Sequence, residues 1–151
     1  MSANLGTANP ATAALDARRL TQLTERLTDR LEAETRAFVE HRPQDVLAGM
    51  AQTQDLANQY RRESAQLKAV PATIAAAPTS DRLALIKATE RFNAVLARHA
   101  GAVEAARVVS EGLVQTIAGE VASARAMGAG YGATGRAAEG DGRAITLNRS
   151  A

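Results

Sequence analysis

The sequence predicts an all-α protein: an elongated antiparallel helical hairpin or bundle of two to three long helices with a flexible Gly-rich C-terminal tail. The main observation is a stretch, residues 80–127, in which an apolar residue recurs at each helical turn for about thirteen turns. Such a helix is roughly 70 Å long, which exceeds the width of a compact domain of this size. We expect helices at about 11–42, 44–70 and 80–127 within a helical domain, 1–127, and a partner-binding tail at 128–151.

The first two predicted helices each carry an apolar series at helical spacing, with charged residues on the flank of the first. The series of the first helix contains Leu20, Leu23, Leu27, Leu31 and Phe38, and Glu34 and Thr35 occupy its missing step. Pro43 ends or kinks this helix because proline lacks an amide hydrogen. No Gly or turn dipeptide stands there to reverse the chain, so we expect two roughly coaxial helices.

A clear interruption follows at residues 71–78, which begin and end with proline. Thr79, Ser80 and Asp81 come next, and these residue types are typical of a helix start. We therefore expect the chain to turn here and the long third helix to fold back antiparallel along the first two.

The third helix is predicted to have one apolar side and one charged side. Its apolar side carries Leu85, Thr89, Phe92, Leu96, His99, Val103, Ala106, Val109, Leu113, Ile117, Val121, Ala124 and Met127. Gly112 and Gly119 interrupt the helix-forming sequence, and each costs about 1 kcal/mol relative to alanine. Two explanations remain open: a close crossing of two helices, or a groove that receives a partner helix.

Composition excludes several classes of function. The net charge is +2, with 18 basic and 16 acidic residues interleaved, so no basic face suited to nucleic acid is predicted. No apolar run is long enough for a membrane span, and the first ten residues lack the features of a secretory signal. The chain has no cysteine. We expect a cytoplasmic protein without membrane insertion.

The sequence offers no candidate catalytic or metal-binding constellation. His41 and His99 are its two histidines, and neither has Asp, Glu or Cys at metal-site spacing. His99 lies on the apolar side of the third helix, where a hydrogen-bonded histidine in a helix seam is expected, and His41 is expected at an exposed helix end. We therefore expect neither an enzyme nor a protein that holds a cofactor or a metal.

The tail carries a more specific signal. The segment 131–136 reads Tyr-Gly-Ala-Thr-Gly-Arg, follows the long helix and leads through further glycines to Ile145-Thr146-Leu147. This layout resembles the FlgN family of flagellar type III export chaperones, in which we include relatives described as flagellar basal-body proteins. The resemblance implies a cytoplasmic chaperone that keeps hook-associated proteins, those of the hook-filament junction, unassembled and delivers them to the flagellar export gate. It also implies that Tyr131 docks to the gate.

The predicted partner-binding residues lie on the end of the third helix and on the tail: Val109, Leu113, Ile117, Val121, Tyr131, Ile145 and Leu147. An apolar helical face that its own chain leaves uncovered suits an amphipathic helix of a partner. Two other functions stay open, an Ala-rich coating or scaffold protein of the granule-associated type and an exported coiled-coil component of the flagellar apparatus. Whether the chain forms a homo-oligomer is also open.

Overall fold

A computed structural model describes residues 8–132, and these residues form four helices: α1 (Pro10–Val39), α2 (Pro43–Ala69), α3 (Pro71–Ala76) and α4 (Thr79–Gly132). The described part contains no β-strand, which confirms the all-α prediction. The chain divides into two compact units, residues 1–106 and 107–151. Helices α1, α2, α3 and the first half of α4 belong to the first unit, and the second half of α4 belongs to the second.

Helix α1 starts with a proline at its first position and an asparagine cap, both common at helix N-termini. The Asn9 side-chain oxygen accepts a hydrogen bond from the Ala11 amide at 3.0 Å. Three threonines on the inner part of the helix donate their hydroxyls to carbonyls four residues earlier, at 2.7 to 2.8 Å: Thr21, Thr24 and Thr28. Thr24 and Thr28 are each only 1% exposed, so α1 turns a hydroxyl-bearing face inward.

The chain reverses direction between α1 and α2, where the sequence predicted a kink between coaxial helices. His41 has a positive φ of 57°, and its amide donates to the Phe38 carbonyl at 3.1 Å while the Arg42 amide donates to the Ala37 carbonyl at 2.8 Å. This pair of bonds is a Schellman helix ending with histidine at the position usually held by glycine. The coaxial arrangement is therefore wrong, because a residue other than glycine makes the left-handed turn.

The direction of the helices follows from the residues that pair between them. Arg18 contacts Asp81 at 2.9 Å and Thr35 contacts His99 at 3.3 Å, so α1 and the first half of α4 run parallel. In contrast, Arg19 contacts Glu63 on α2, whereas the later α1 residue Arg30 hydrogen bonds to the earlier α2 residue Thr53. Helices α1 and α2 are therefore antiparallel. The first unit is an up-down-up three-helix bundle, and the prediction that the third helix opposes both earlier helices is wrong.

The predicted interruption at residues 71–78 is present and contains the short helix α3. Immediately after α3, Ala77 is buried against Ala13 and Ala17 of α1. Alanine side chains fill little volume, so they allow this connection to lie close to the start of α1. The connection thus returns the chain to the end of the bundle at which α1 begins, and α4 starts there.

The main core of the first unit consists of Leu27, Leu31, Phe92 and Val95, with partly buried residues of α2 packed against it. The rings of Phe92 and Tyr60 are 5.0 Å apart at a tilted angle, a favourable geometry for aromatic side chains. Burial of one such side chain stabilises the fold by about 1.5–3 kcal/mol relative to exposure. The seam among α1, α2 and α4 is therefore the principal source of hydrophobic stability in this unit.

The second unit is described through the part of α4 that follows residue 106. The helix continues to Gly132 and includes residues 128–132, which the sequence assigned to the tail. Glycine disfavours a helix by only about 1 kcal/mol per residue, so Gly128, Gly130 and Gly132 do not end it. The side chains from 107 to 130 are all exposed. Residues 133–151 of the predicted tail lie outside the described residues.

Candidate partner-binding surface

The second unit exposes the apolar residues that the sequence singled out. Val109 is 61% exposed, Leu113 59%, Ile117 50% and Val121 46%. They recur every four residues, a spacing that brings them to one side of a helix. We call these four residues the apolar stripe. Since exposed apolar surface of this extent is uncommon unless a partner covers it, the stripe is the strongest candidate binding surface among the described residues.

Few charges accompany the apolar stripe. Residues 107–130 contain two arginines and two glutamates, so their formal charge is zero. Arg107 and Glu111 form an ion pair at 2.8 Å on the same helix. Further along, Glu120 and Arg125 are both exposed. This surface therefore offers mainly apolar contact, with four charges distributed along the helix.

The glycines of this helix are not explained by packing within the described chain. A Cβ atom built on Gly101, Gly112 or Gly119 would meet nothing within 4 Å. The close helix crossing, one of the two explanations that the sequence left open for Gly112 and Gly119, is therefore not present at these two positions in the described residues. The other explanation, the approach of a partner helix, stays a prediction.

The structure places four of the seven predicted partner-binding residues together, those of the apolar stripe. Tyr131 lies in the last turns of α4, and the position of its side chain is not described. Ile145 and Leu147 lie outside the described residues. The structure thus brings the helical part of the predicted surface onto one face and says nothing of the part predicted for the tail.

A partly buried polar cluster joins the three long helices of the first unit. The Thr53 hydroxyl of α2 donates to Glu34 Oε1 of α1 at 2.5 Å, and His99 Nε2 of α4 lies 3.8 Å from Glu34 Oε2. His99 Nδ1 also contacts the Thr35 hydroxyl at 3.3 Å, which confirms the prediction of a hydrogen-bonded seam histidine. The sequence hinted at this cluster only through the missing apolar step at Glu34 and Thr35. Its hydrogen bonds connect α1 to α2 and to α4, so it fits a structural role.

The described residues offer no alternative site with metal or membrane chemistry. No group of three or more His, Cys, Asp or Glu side chains between residues 8 and 132 is arranged to hold a metal ion. None of the four helices in that range combines the length and the apolarity that a bilayer crossing requires. His41 is exposed at the turn between α1 and α2, as the sequence predicted.

Comparison with known proteins gives a close relative. The flagellar basal-body protein FlbY of Caulobacter vibrioides is 47% identical to this chain over 148 residues, which cover 93% of this chain and 99% of the relative. Neither a protein-family model nor a solved structure matches the chain, so membership of the FlgN type stays a prediction. Because the similarity extends over nearly the full length of both proteins, this chain belongs to the family of the flagellar basal-body protein FlbY.

Proposed function

We propose that this chain is a cytoplasmic chaperone of flagellar protein export that binds a hook-associated protein, keeps it unassembled and delivers it to the type III export gate. The observation that carries the proposal is the apolar stripe, four large apolar residues exposed in a row on α4. The name of the relative supports a flagellar setting for the family. An amphipathic terminal helix of the exported protein, here called the cargo, suits such a face.

The size of the apolar stripe indicates how tightly it can hold a cargo helix. Full burial of one such side chain contributes about 1.5–3 kcal/mol, and the four stripe residues are about half exposed. Covering all four would therefore contribute roughly 3–6 kcal/mol before the costs of association. Those costs are about 4 kcal/mol or more. The apolar stripe alone gives weak binding, so the proposal requires further contacts, for which Tyr131, Ile145 and Leu147 are the candidates.

A binding experiment with matched variants tests the proposal. Purified chain is mixed with individual hook-associated proteins, and complexes are detected by size-exclusion chromatography with light scattering. We expect Ile117→Asp to abolish the complex, because the carboxylate would be buried without a partner. Val108→Asp is the control, since Val108 is 56% exposed but lies on another side of α4 by helical spacing. An intact complex with Ile117→Asp, or no complex with any cargo, would contradict the proposal.

The predicted role of Tyr131 is tested separately. If this residue docks to the export gate, Tyr131→Ala should lower secretion of the cargo by flagellated cells while the cargo complex in solution persists. Deletion of residues 133–151 should weaken the cargo complex, because it removes Ile145 and Leu147. Loss of cargo binding in Tyr131→Ala would show that the tyrosine belongs to the cargo site instead.

A second candidate is a structural component of the basal body, which the description of the relative as a flagellar basal-body protein favours. A structural component should copurify with detergent-extracted basal bodies in a fixed ratio, whereas a chaperone should remain in the cytosolic fraction. Fractionation of cells that carry a tagged chain separates the two. The granule-associated coating alternative gains no support from a flagellar relative.

A further inference from the structure

The second half of α4 is a poor helix by itself. Residues 107–130 include Gly112, Gly119, Gly128 and Gly130, and each glycine costs a helix about 1 kcal/mol relative to alanine. None of the side chains in this range is buried. In proteins most of the stability of a helix comes from tertiary packing of one face rather than from intrinsic propensity. A covering partner would supply the burial that this segment lacks.

The spacing of the apolar residues in this segment is the same when it is followed in either direction of the chain, so two antiparallel copies can align these residues. Val114, Ile117, Val121 and Ala124 follow one another at spacings of three, four and three, which is the pattern of a helix-pairing seam. When two copies run antiparallel about a two-fold axis near residue 119, Ile117 lies against Val121 of the second copy, and Val114 lies against Ala124. Each contact occurs twice because the interface is symmetric. The small Ala124 side chain allows the two helices to approach closely at both ends of the seam.

In the same antiparallel arrangement, opposite charges beside the seam lie close to each other across the two copies. Glu111 lies beside the seam near one end of the segment and Arg125 near the other, so the antiparallel register brings Glu111 of each copy near Arg125 of the other. Both residues are exposed. Glu111 already contacts Arg107 at 2.8 Å, so Arg125 would join an existing pair. Among the charged residues only Glu120, which is close to the two-fold axis, would lie opposite the same residue of the second copy.

A parallel arrangement would bring Glu120 beside Arg125 of the second copy, but it fits the sequence less well at the seam itself. Arg107 lies seven residues before Val114 and therefore occupies the same position of the seam. Two parallel copies in register would bring their Arg107 guanidinium groups together there. The antiparallel register separates these two arginines along the pair. The single unfavourable contact that remains, between the two copies of Glu120, lies beside the seam and can be relieved by one substitution.

We propose that a second copy of this chain covers residues 107–130, as an antiparallel pair of α4 segments held by Val114, Ile117, Val121 and Ala124 and aligned by Glu111 and Arg125. The pairing itself is independent of the chaperone proposal. One consequence rests on that proposal: because Ile117 and Val121 serve both contacts, the paired chain cannot bind cargo on the apolar stripe, and cargo must displace the second copy.

Sedimentation equilibrium of the full chain over a range of protein concentrations tests the pairing. We expect a reversible dimer that Arg125→Glu weakens about tenfold or more, because attraction to Glu111 becomes repulsion. The double reversal Glu111→Arg with Arg125→Glu should recover part of the loss, because it restores opposite charges across the pair but breaks the Arg107–Glu111 contact. Glu120→Gln should tighten the dimer. Ser123→Glu, an exposed charge change away from the seam, should have little effect.

The outcomes separate the two proposals. A chain that stays monomeric at all concentrations, or a dimer unaffected by Arg125→Glu, would overturn the pairing. Rescue of Arg125→Glu by Glu120→Arg would indicate parallel helices and would equally overturn it. A chain that dimerises as expected but binds no hook-associated protein would contradict the chaperone proposal alone. Circular dichroism of each variant checks that the helices are retained.

Discussion

Phe92 is the residue whose truncation best tests the three-helix bundle. Its ring is 8% exposed, packs with Leu27, Leu31 and Val95, and lies 5.0 Å from the ring of Tyr60. Truncation of a buried phenylalanine to alanine costs about 3–5 kcal/mol, through lost transfer free energy and the cavity left behind. Total stabilities of single domains are about 5–15 kcal/mol, so Phe92→Ala should remove a large fraction. The free energy of unfolding falls by about 1.5–2 kcal/mol per molar urea, so this loss lowers the midpoint of urea unfolding by about 2 M.

The matched control for Phe92→Ala is Leu113→Ala. Leu113 lies on the same helix but is 59% exposed, so its truncation should change the free energy of unfolding by less than about 0.5 kcal/mol. Both variants are measured by urea unfolding followed by circular dichroism, at concentrations where the wild-type chain is monomeric. A loss below about 1 kcal/mol for Phe92→Ala, or equal losses for the two variants, would refute the assignment of the core.

Three further predictions concern other features of the fold. Burial raises the pKa of the Tyr60 hydroxyl, so the folded state holds this proton more tightly, and stability should fall as the pH rises past the unfolded value of about 10. Tyr60→Phe should make that fall shallower in urea unfolding between pH 8 and 11, and identical pH profiles would contradict the cause. His41→Gly should stabilise the chain by about 1 kcal/mol, because histidine is strained at positive φ; a lower urea midpoint would argue against the left-handed turn. Gly112→Ala should increase helicity by circular dichroism and slow amide exchange in residues 107–130, since no described atom crowds the added methyl group, and a loss of helicity would reveal a close neighbour.

The helices were predictable because their signals are local. Apolar spacing and the prolines at 10, 43, 71 and 78 locate three of the four helices within a few residues of their observed bounds, apart from the end of α4. The chain reversal at His41 carries no such signal. Histidine adopts a left-handed conformation only when the surrounding contacts compensate for its cost, and here those contacts come from the packing of α2 against α1.

The sequence predicted which residues of the candidate site share one face of the helix, but not which parts of that face other helices cover. Periodicity identified Val109, Leu113, Ile117 and Val121 as one face of a helix, yet the same periodicity includes Phe92, which is buried in the first unit. Sequence spacing shows which residues share a face, whereas the coverage of that face depends on where the other helices end. For the same reason the Glu34 cluster was missed, since its partners on α2 and α4 are distant in the sequence.

The inward threonines of α1 bear on how the bundle finds its alignment. The hydroxyls of Thr24 and Thr28 are satisfied by carbonyls of their own helix, so toward the neighbouring helices these residues offer mainly methyl groups. Methyl contacts have little directionality, and a sliding displacement of one helix along another meets few specific obstacles there. Vertical alignment therefore depends on the close packing of Leu27, Leu31, Phe92 and Val95, and polar contacts toward the two ends, such as Arg18 with Asp81 and Glu34 with Thr53, add to it. A bundle that lacks both polar pairs would thus rely on the core alone to fix the relative heights of its helices.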